Sequence, residues 1–326
     1  MTASSQSSPR ALRRDQIASL IERERIDGVA AVTLASLIEG ELGTSSFLPD
    51  GIVQVDPRTQ DRIIYSSARS KRPHDNQSPG GEHDDAAEVS GRSCVICDGK
   101  ITGIVDIADL SEGFTFINKN LYPVLFPRRR GDIGTEVSAG RSIYGMHFLQ
   151  WTSSLHDSDW HNMPQGDAEI VLRRLAALEG ALLESGADEM PDNAAAFGDR
   201  PGRRGYVGII KNFGALVGGS LVHGHQQIAY SSEMPRRLRD DWVFEERQGE
   251  RYADFILRET PEALRLRDYG AATLLIPYFM RRPYDMQLVV HDTTKRYLSE
   301  LDDGEIAAIS LGLREGLRLV RTVMPR

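Results

Sequence analysis

Between residues 206 and 230 the chain carries a run that restricts its fold and its chemistry together. Tyr206-Val-Gly-Ile-Ile210 is followed by Lys211-Asn212-Phe-Gly214-Ala-Leu-Val-Gly-Gly219 and then by Ser220-Leu-Val-His223-Gly-His225-Gln-Gln227-Ile-Ala-Tyr230. The first segment is apolar and β-branched, which predicts a buried strand; the glycines predict a turn, and Gln227 to Tyr230 predicts a second strand. Residues two apart on a strand share a face, so His223, His225 and Gln227 are expected to line one surface. Three readings follow: a metal site, a nucleophilic imidazole held by hydrogen bonds, or two surface histidines without a role. Gly214, Gly218 and Gly219 let backbone amides approach a phosphate, and Ser220 and Gln227 add neutral donors beside the imidazoles.

The rest of the chain bounds the choice. Its 326 residues, 40% hydrophobic and 26% charged, are enough for one large or two smaller cores. A net charge of −8 argues against nucleic acid as a partner. No apolar segment approaches the roughly 20 residues of a membrane span, and the polar N-terminus has no signal-peptide core, so the expected location is the cytoplasm. The two cysteines, Cys94 and Cys97, exclude a disulfide framework and leave a redox pair, a metal knuckle or chance. A redox pair should open a helix, whereas Asp98-Gly99 reads as a turn.

Helical spacing marks Asp15 to Glu24, Ala31 to Leu42, Gln165 to Ser185 and Asp303 to Val323. Strands are expected at Ile52 to Val55, Arg62 to Tyr65, from Phe114, from Gly145 to near His156, at Ala271 to Tyr278 and at Met286 to His291, with a polar, helical stretch from Glu233 to about Ala263. Asn76 to Arg92 is polar and aperiodic, which reads as a loop. The fold class is α+β.

Four segments in order carry a family resemblance. They are Asp56-Pro57 before a strand and Arg69-Ser-Lys71-Arg72-Pro73; Asn118-Lys-Asn120-Leu-Tyr-Pro123; Gly145-Met-His147 through His156; and Asn212-x-Gly214 through His223-Gly-His225-Gln-Gln227. Together they resemble the galactose-1-phosphate uridylyltransferase family of the histidine-triad superfamily, whose usual run is His-Pro-His-Gly-Gln. The resemblance implies duplicated half-barrel sheets with packed helices. It divides the chain into an N-terminal helical extension (1–50), a first half with the active strand (51–240) and a second half (241–326) that lacks a strand bearing a second His-x-His.

The resemblance also implies a structural zinc on Cys94, Cys97, His156 and His223, with His156 preferred to His147 as a ligand and no second metal near Asp241. His225 is then the nucleophile, with Gln227 and Ser220 steadying phosphoryl oxygens. Arg69 and Arg72 hold a phosphate, and Asn118, Asn212 and Gly219 contribute to the nucleotide site. The implied reaction moves a nucleoside monophosphate from a nucleoside diphosphate-sugar to a sugar 1-phosphate through nucleotidyl-His225, in a homodimer. A phosphorylase using inorganic phosphate and a non-catalytic, zinc-stabilised nucleotide-binding protein are the alternatives. Position 226 holds glutamine where the family run has glycine.

Overall fold

The computed structural model describes residues 10–43, 51–67, 69, 94–127, 140–184, 188–193, 202–213, 219 and 221–323. Its centre is an antiparallel sheet of β3 (Ile104–Asp109), β4 (Phe114–Lys119), β6 (Gly145–Trp151), β7 (Tyr206–Ile210) and β8 (His225–Ser231), in the order β3-β4-β6-β8-β7. A hairpin of β1 (Ile52–Val55) and β2 (Arg62–Tyr65) forms a second small sheet with β5 (Arg141–Ser142). A third is built from β9 (Arg265–Asp268), β10 (Ala272–Leu275) and β11 (Gln287–Val290), in the order β11-β10-β9.

Alternation along β6 and β8 assigns the two faces of the central sheet. Met146, Phe148, Ile228 and Tyr230 point into a core with helix α3 (Gln165–Glu184), whose Val171, Leu175, Leu178 and Leu182 recur at helical spacing. Ile306 and Ile309 of the C-terminal helix α6 (Asp303–Val323) complete that core. The other face buries Phe116 and Trp151 with Ile104, Ile107 and the cysteine knuckle. Both faces of β4 and β6 are therefore covered, and β4 is buried throughout.

The N-terminal residues belong to these cores. Short helix α1 (Arg14–Ile17) brings Leu12 and Ile17 against Cys94 and Ile96, and α2 (Ala31–Gly43) brings Leu34 and Ile38 into the α3 core. Ile21 forms a parallel bridge with Ile104, and the Ile104 carbonyl accepts hydrogen bonds from the Glu22 and Arg23 amides. Buried Arg174 pairs with Asp106 and Asp27, tying α3 to the sheet and to the segment between α1 and α2.

Several elements differ from the sequence expectation. The helix expected over Asp15 to Glu24 is one turn of α-helix followed by a 3-10 turn to Leu20, because the chain then leaves to pair with Ile104. The polar stretch after Pro235 divides at Gly249, φ +70°, into α4 (Arg236–Gln248) and α5 (Tyr252–Glu259). Strand β3 lacks a polar alternation because it is buried on both faces, and β9 is read only through its pairing with β10. The loop expected from Asn76 to Arg92 lies outside the described residues. No helix among the described residues is long and apolar enough to cross a membrane.

Candidate active site

The knuckle at Cys94 to Gly99 turns back on itself through hydrogen bonds from the Asp98 amide to the Cys94 carbonyl and from the Gly99 amide to the Ile96 carbonyl. Gly99 sits at φ +76°, a conformation that favours glycine. The turn faces His156, just beyond β6, and His223, just before β8. The four ligand atoms lie within 4.8 Å of one another, the one such grouping among the described residues.

The residues fit a tetrahedral zinc. Cys94 Sγ and Cys97 Sγ each lie 3.7 Å from His223 Nδ1, and Cys97 Sγ lies 3.6 Å from His156 Nδ1. A tetrahedron with Zn–S and Zn–N bonds of ordinary length has sulfur–nitrogen edges of about 3.6 Å. His223 Nε2 is 2.8 Å from the Ser153 carbonyl, which can only accept, so Nε2 carries the proton and Nδ1 presents its lone pair to the thiols. The Cys94 thiol is pushed far down, first by the hydrogen bond from Cys97 and then by both imidazoles, while Cys97 is pushed up by the same sulfur pair.

Strand β8 begins at His225, so the two-residue alternation does not extend back to His223. The imidazoles consequently serve different places: His223 faces the knuckle, whereas His225 and Gln227 line a cavity of about 340 Å³. Gly224 has no room for a side chain. A Cβ there would lie 2.7 Å from both Thr152 Oγ1 and Asp159 Cγ. The Gly224 carbonyl accepts from the Thr152 amide, with the Thr152 hydroxyl 3.0 Å away, fixing the backbone between the two histidines.

His225 Nδ1 is 2.9 Å from the His223 carbonyl. It must donate there, which leaves Nε2 as the ring nitrogen with an available lone pair. The ring lies against Trp151, its register partner on β6, with centroids 4.8 Å apart. Burial, countered by the hydrogen bond to the His223 carbonyl, lowers its pKa to about 4. Lys211 Nζ donates to the His225 carbonyl at 3.1 Å and pairs with Asp159 at 2.8 Å. Thr152 Oγ1 donates to the same aspartate.

Beside His225, Arg69 donates to Gln227 Oε1 at 3.4 Å and to the Tyr122 carbonyl at 3.2 Å. His147, fully buried on the same face of β6, accepts from the Val124 amide and contacts Asn120 and Gln227. Desolvation, followed by the Arg69 charge, lowers its pKa to about 3, so it is a neutral positioning group. Trp151 Nε1 donates to Asn118 Oδ1 at 2.9 Å, and Asn118 Nδ2 donates to Thr102 at 2.7 Å. These groups share the cavity wall with apolar Leu149, Leu221 and Ile101.

The structure thus brings together His225, Gln227, Arg69 and Asn118 at one cavity, and Cys94, Cys97, His156 and His223 beside it. Asn212 is half-buried after β7 and Gly219 is buried; neither lines the cavity. Ser220, Arg72, Lys71, Gly214 and Gly218 lie outside the described residues. Gln226 points to the opposite face, accepting from Trp160 Nε1 at 2.8 Å and bonding Gln150, whose amide reaches the Val171 carbonyl. Its side chain packs on the α3 side of the sheet, against Trp160 and Gln150.

No family model and no curated protein sequence matches the chain. Among solved structures it is similar to a uridylyltransferase at TM-score 0.59 and 19% identity, covering 81% of this chain and 73% of that one. The chain has the uridylyltransferase fold. An ADP-glucose phosphorylase from Arabidopsis thaliana, solved with ADP-glucose bound, shares that fold at TM-score 0.54 and 18% identity, covering 84% of this chain and 78% of that one. A GalT-like protein from the same plant does so at TM-score 0.54 and 16% identity, over 83% and 77% of the two chains.

Within this uridylyltransferase fold, sequence reasoning overlooked the support of the site. Lys211 and Thr152 lie within the motif segments and Asp159 three residues beyond His156, but only the fold joins their side chains beside Gly224. His147 and Trp151 had a visible signal, since both occupy the face of β6 opposite Phe148 and Gln150.

Proposed function

We propose that the protein is a nucleotidyltransferase that carries a nucleoside monophosphate on His225 between two phosphate-bearing partners. The observation that carries this reading is the 2.9 Å contact of His225 Nδ1 with the His223 carbonyl. It fixes the tautomer and leaves Nε2 as the nucleophile on a cavity-lining side chain.

In the first step the Nε2 lone pair forms a bond to the α-phosphorus of a nucleoside diphosphate-sugar. The bond from that phosphorus to the bridging oxygen breaks, and its electron pair leaves with the sugar 1-phosphate. In the second step an oxygen of the acceptor phosphate attacks the same phosphorus, and the P–N electron pair returns to Nε2. Both leaving and entering groups are phosphates, so no general acid is required. An amide at position 227 suffices, because Gln227 can donate to a phosphoryl oxygen but cannot transfer a proton. Arg69, which now spans Gln227 and the Tyr122 carbonyl, supplies fixed positive charge for the transferred group. Ser220 and Arg72 are assigned to the same phosphates, and Asn118, Asn212 and Gly219 to the nucleotide.

Zinc bound by Cys94, Cys97, His156 and His223 would supply a closed structural centre. The chain's own residues then do the positioning: His223 anchors the strand, and its carbonyl orients His225. The order β9, β10, β11, α6 resembles β3, β4, β6, α3, and we read the stretch from 241 onward as a second copy of the half-barrel unit.

A sugar 1-phosphate is the acceptor in the principal reading. Inorganic phosphate is the second, favoured by the fold shared with an ADP-glucose phosphorylase. The test is isotope exchange. Labelled sugar 1-phosphate should enter the nucleoside diphosphate-sugar pool without a second acceptor, as a double displacement requires. Phosphate-dependent release of a nucleoside diphosphate would select the phosphorylase reading. No exchange and no release with zinc-loaded protein would refute both.

A further inference from the structure

The cavity has a wall that the sheet does not provide. Glu41, near the end of α2, is the one carboxylate among the described residues lining it. Its Oε2 lies 3.0 Å from Lys119 Nζ and 3.2 Å from the Gly103 amide. Lys119, at the end of β4, is 2% exposed and is also held by Glu22 at 2.5 Å and by the Leu37 carbonyl at 3.1 Å. All three partners of this ammonium come from the N-terminal segment. The arrangement needs a glycine at 103, where a Cβ would lie 2.7 Å from Lys119 Nζ and closer still to Glu22. A buried cation with three acceptors is a rigid fastening, so α2 is a fixed part of the wall.

A carboxylate is unexpected in a site built for phosphates, unless it faces a part of the ligand that carries hydrogen-bond donors. Arg69, Gln227 and His225 form the phosphate end. Glu41 shares its stretch of wall with Thr102, Asn118 and Lys119. A nucleoside offers donors of two kinds, ribose hydroxyls and base N–H groups, and an ionised carboxylate accepts from either. We infer that Glu41 is a nucleoside-specificity residue, accepting a hydrogen bond from the nucleoside and setting which nucleotide the site prefers. The inference rests on the nucleotide-binding reading above and deepens it.

Glu41→Gln is the informative variant. Gln Oε1 can still accept from Lys119 and Gly103, which turns the amide NH2 toward the cavity and sets a donor against the ligand's donor. Glu22→Gln is its control, because it removes a charge from Lys119 without altering a cavity-lining residue. The probes are GMP, AMP, CMP and UMP with their 2′-deoxy forms, titrated calorimetrically into the zinc-loaded full chain, with circular dichroism to establish folding.

The wild type should discriminate by about tenfold, and Glu41→Gln should bring that ratio near one, while Glu22→Gln retains it. A lost ribo-to-deoxy ratio places the contact on the ribose; a lost ratio among bases places it on the base. Unchanged ratios in Glu41→Gln, an equal collapse in Glu22→Gln, or a wild type that binds every probe alike would overturn the specificity role and leave the transferase reading standing. Failure of the wild type to bind any nucleotide would overturn both.

Discussion

The central sheet and the β9-β10-β11 sheet are built from similar parts and differ in what covers them. Each is antiparallel and backed by a long helix, α3 for the first and α6 for the second. In the central sheet the second face is also covered, by the knuckle and the N-terminal segment, and polar groups there satisfy one another: buried Asn118 with Trp151, buried His225 with the His223 carbonyl, and half-buried Arg69 with Gln227. In the smaller sheet β9 is exposed along its length, and only β10 is buried throughout. Its charges pair at the surface, as Arg267 does with Glu315. A second cover turns polar side chains from solvated decoration into a held constellation, because a buried group must find its partner inside the protein.

The comparison is broken most severely by removing His225. His225→Ala should reduce turnover by roughly a thousandfold or more while leaving zinc content and Tm near the wild-type values, since the proposed mechanism makes the side chain a reacting group rather than a fastening. Steady-state kinetics with metal analysis checks this. Next in size, Cys94→Ser or chelation of the proposed zinc should destabilise the central sheet by about 4 kcal/mol, read as a fall in Tm, because His223 would then lose the centre proposed to hold it.

A smaller pair of changes contrasts the two sheets directly. Gln226→Ala strands the Trp160 indole N–H and the Gln150 side-chain oxygen in the α3 core and should cost about 2 kcal/mol in denaturant unfolding, with kcat hardly altered. Thr273→Val removes the 2.8 Å contact of its hydroxyl with exposed His291 in the smaller sheet and should cost about 1 kcal/mol or less.

The joint between the regions gives the mildest test. Glu179 of α3 accepts from the Ser299 amide at 3.0 Å, and desolvation, countered by the Ser299 and Leu298 amides, raises its pKa to about 7. A raised carboxyl pKa contributes stability that is complete below the ordinary value near 4.5 and is lost as pH rises through about 7. Glu179→Gln should therefore gain stability relative to wild type between pH 5 and 8, measured by urea unfolding across that range.

Much of this was legible in the sequence, and the residues show why. Helices α3 and α6 were readable from one-sided apolar spacing, β7 from its β-branched run, and β8 from the strand expected after the glycine-rich turn. The cavity members His225, Gln227, Arg69 and Asn118, and the Cys94, Cys97, His156, His223 cluster, were reachable only through separated motifs taken in order. Local spacing misled at His223, because Gly224 delays the start of β8. It was silent on Glu41, Lys119 and Glu22, whose meeting depends on the N-terminal segment pairing with Ile104 beside the end of β4. It was silent likewise on Lys211 and Asp159, joined by a loop closure that no period encodes. Gln226 stood out as a departure from the family run, yet alternation alone placed it on the helix-facing side.

The central claim is a covalent nucleotidyl-His225, and intact-mass spectrometry tests it most directly. Zinc-loaded protein mixed briefly with a panel of nucleoside diphosphate-sugars should gain the mass of one nucleotidyl group, identifying the base, and His225→Gln should gain nothing. A folded, zinc-loaded wild type that exchanges label yet never carries the added mass, or a His225→Gln variant that carries it equally, would contradict the account.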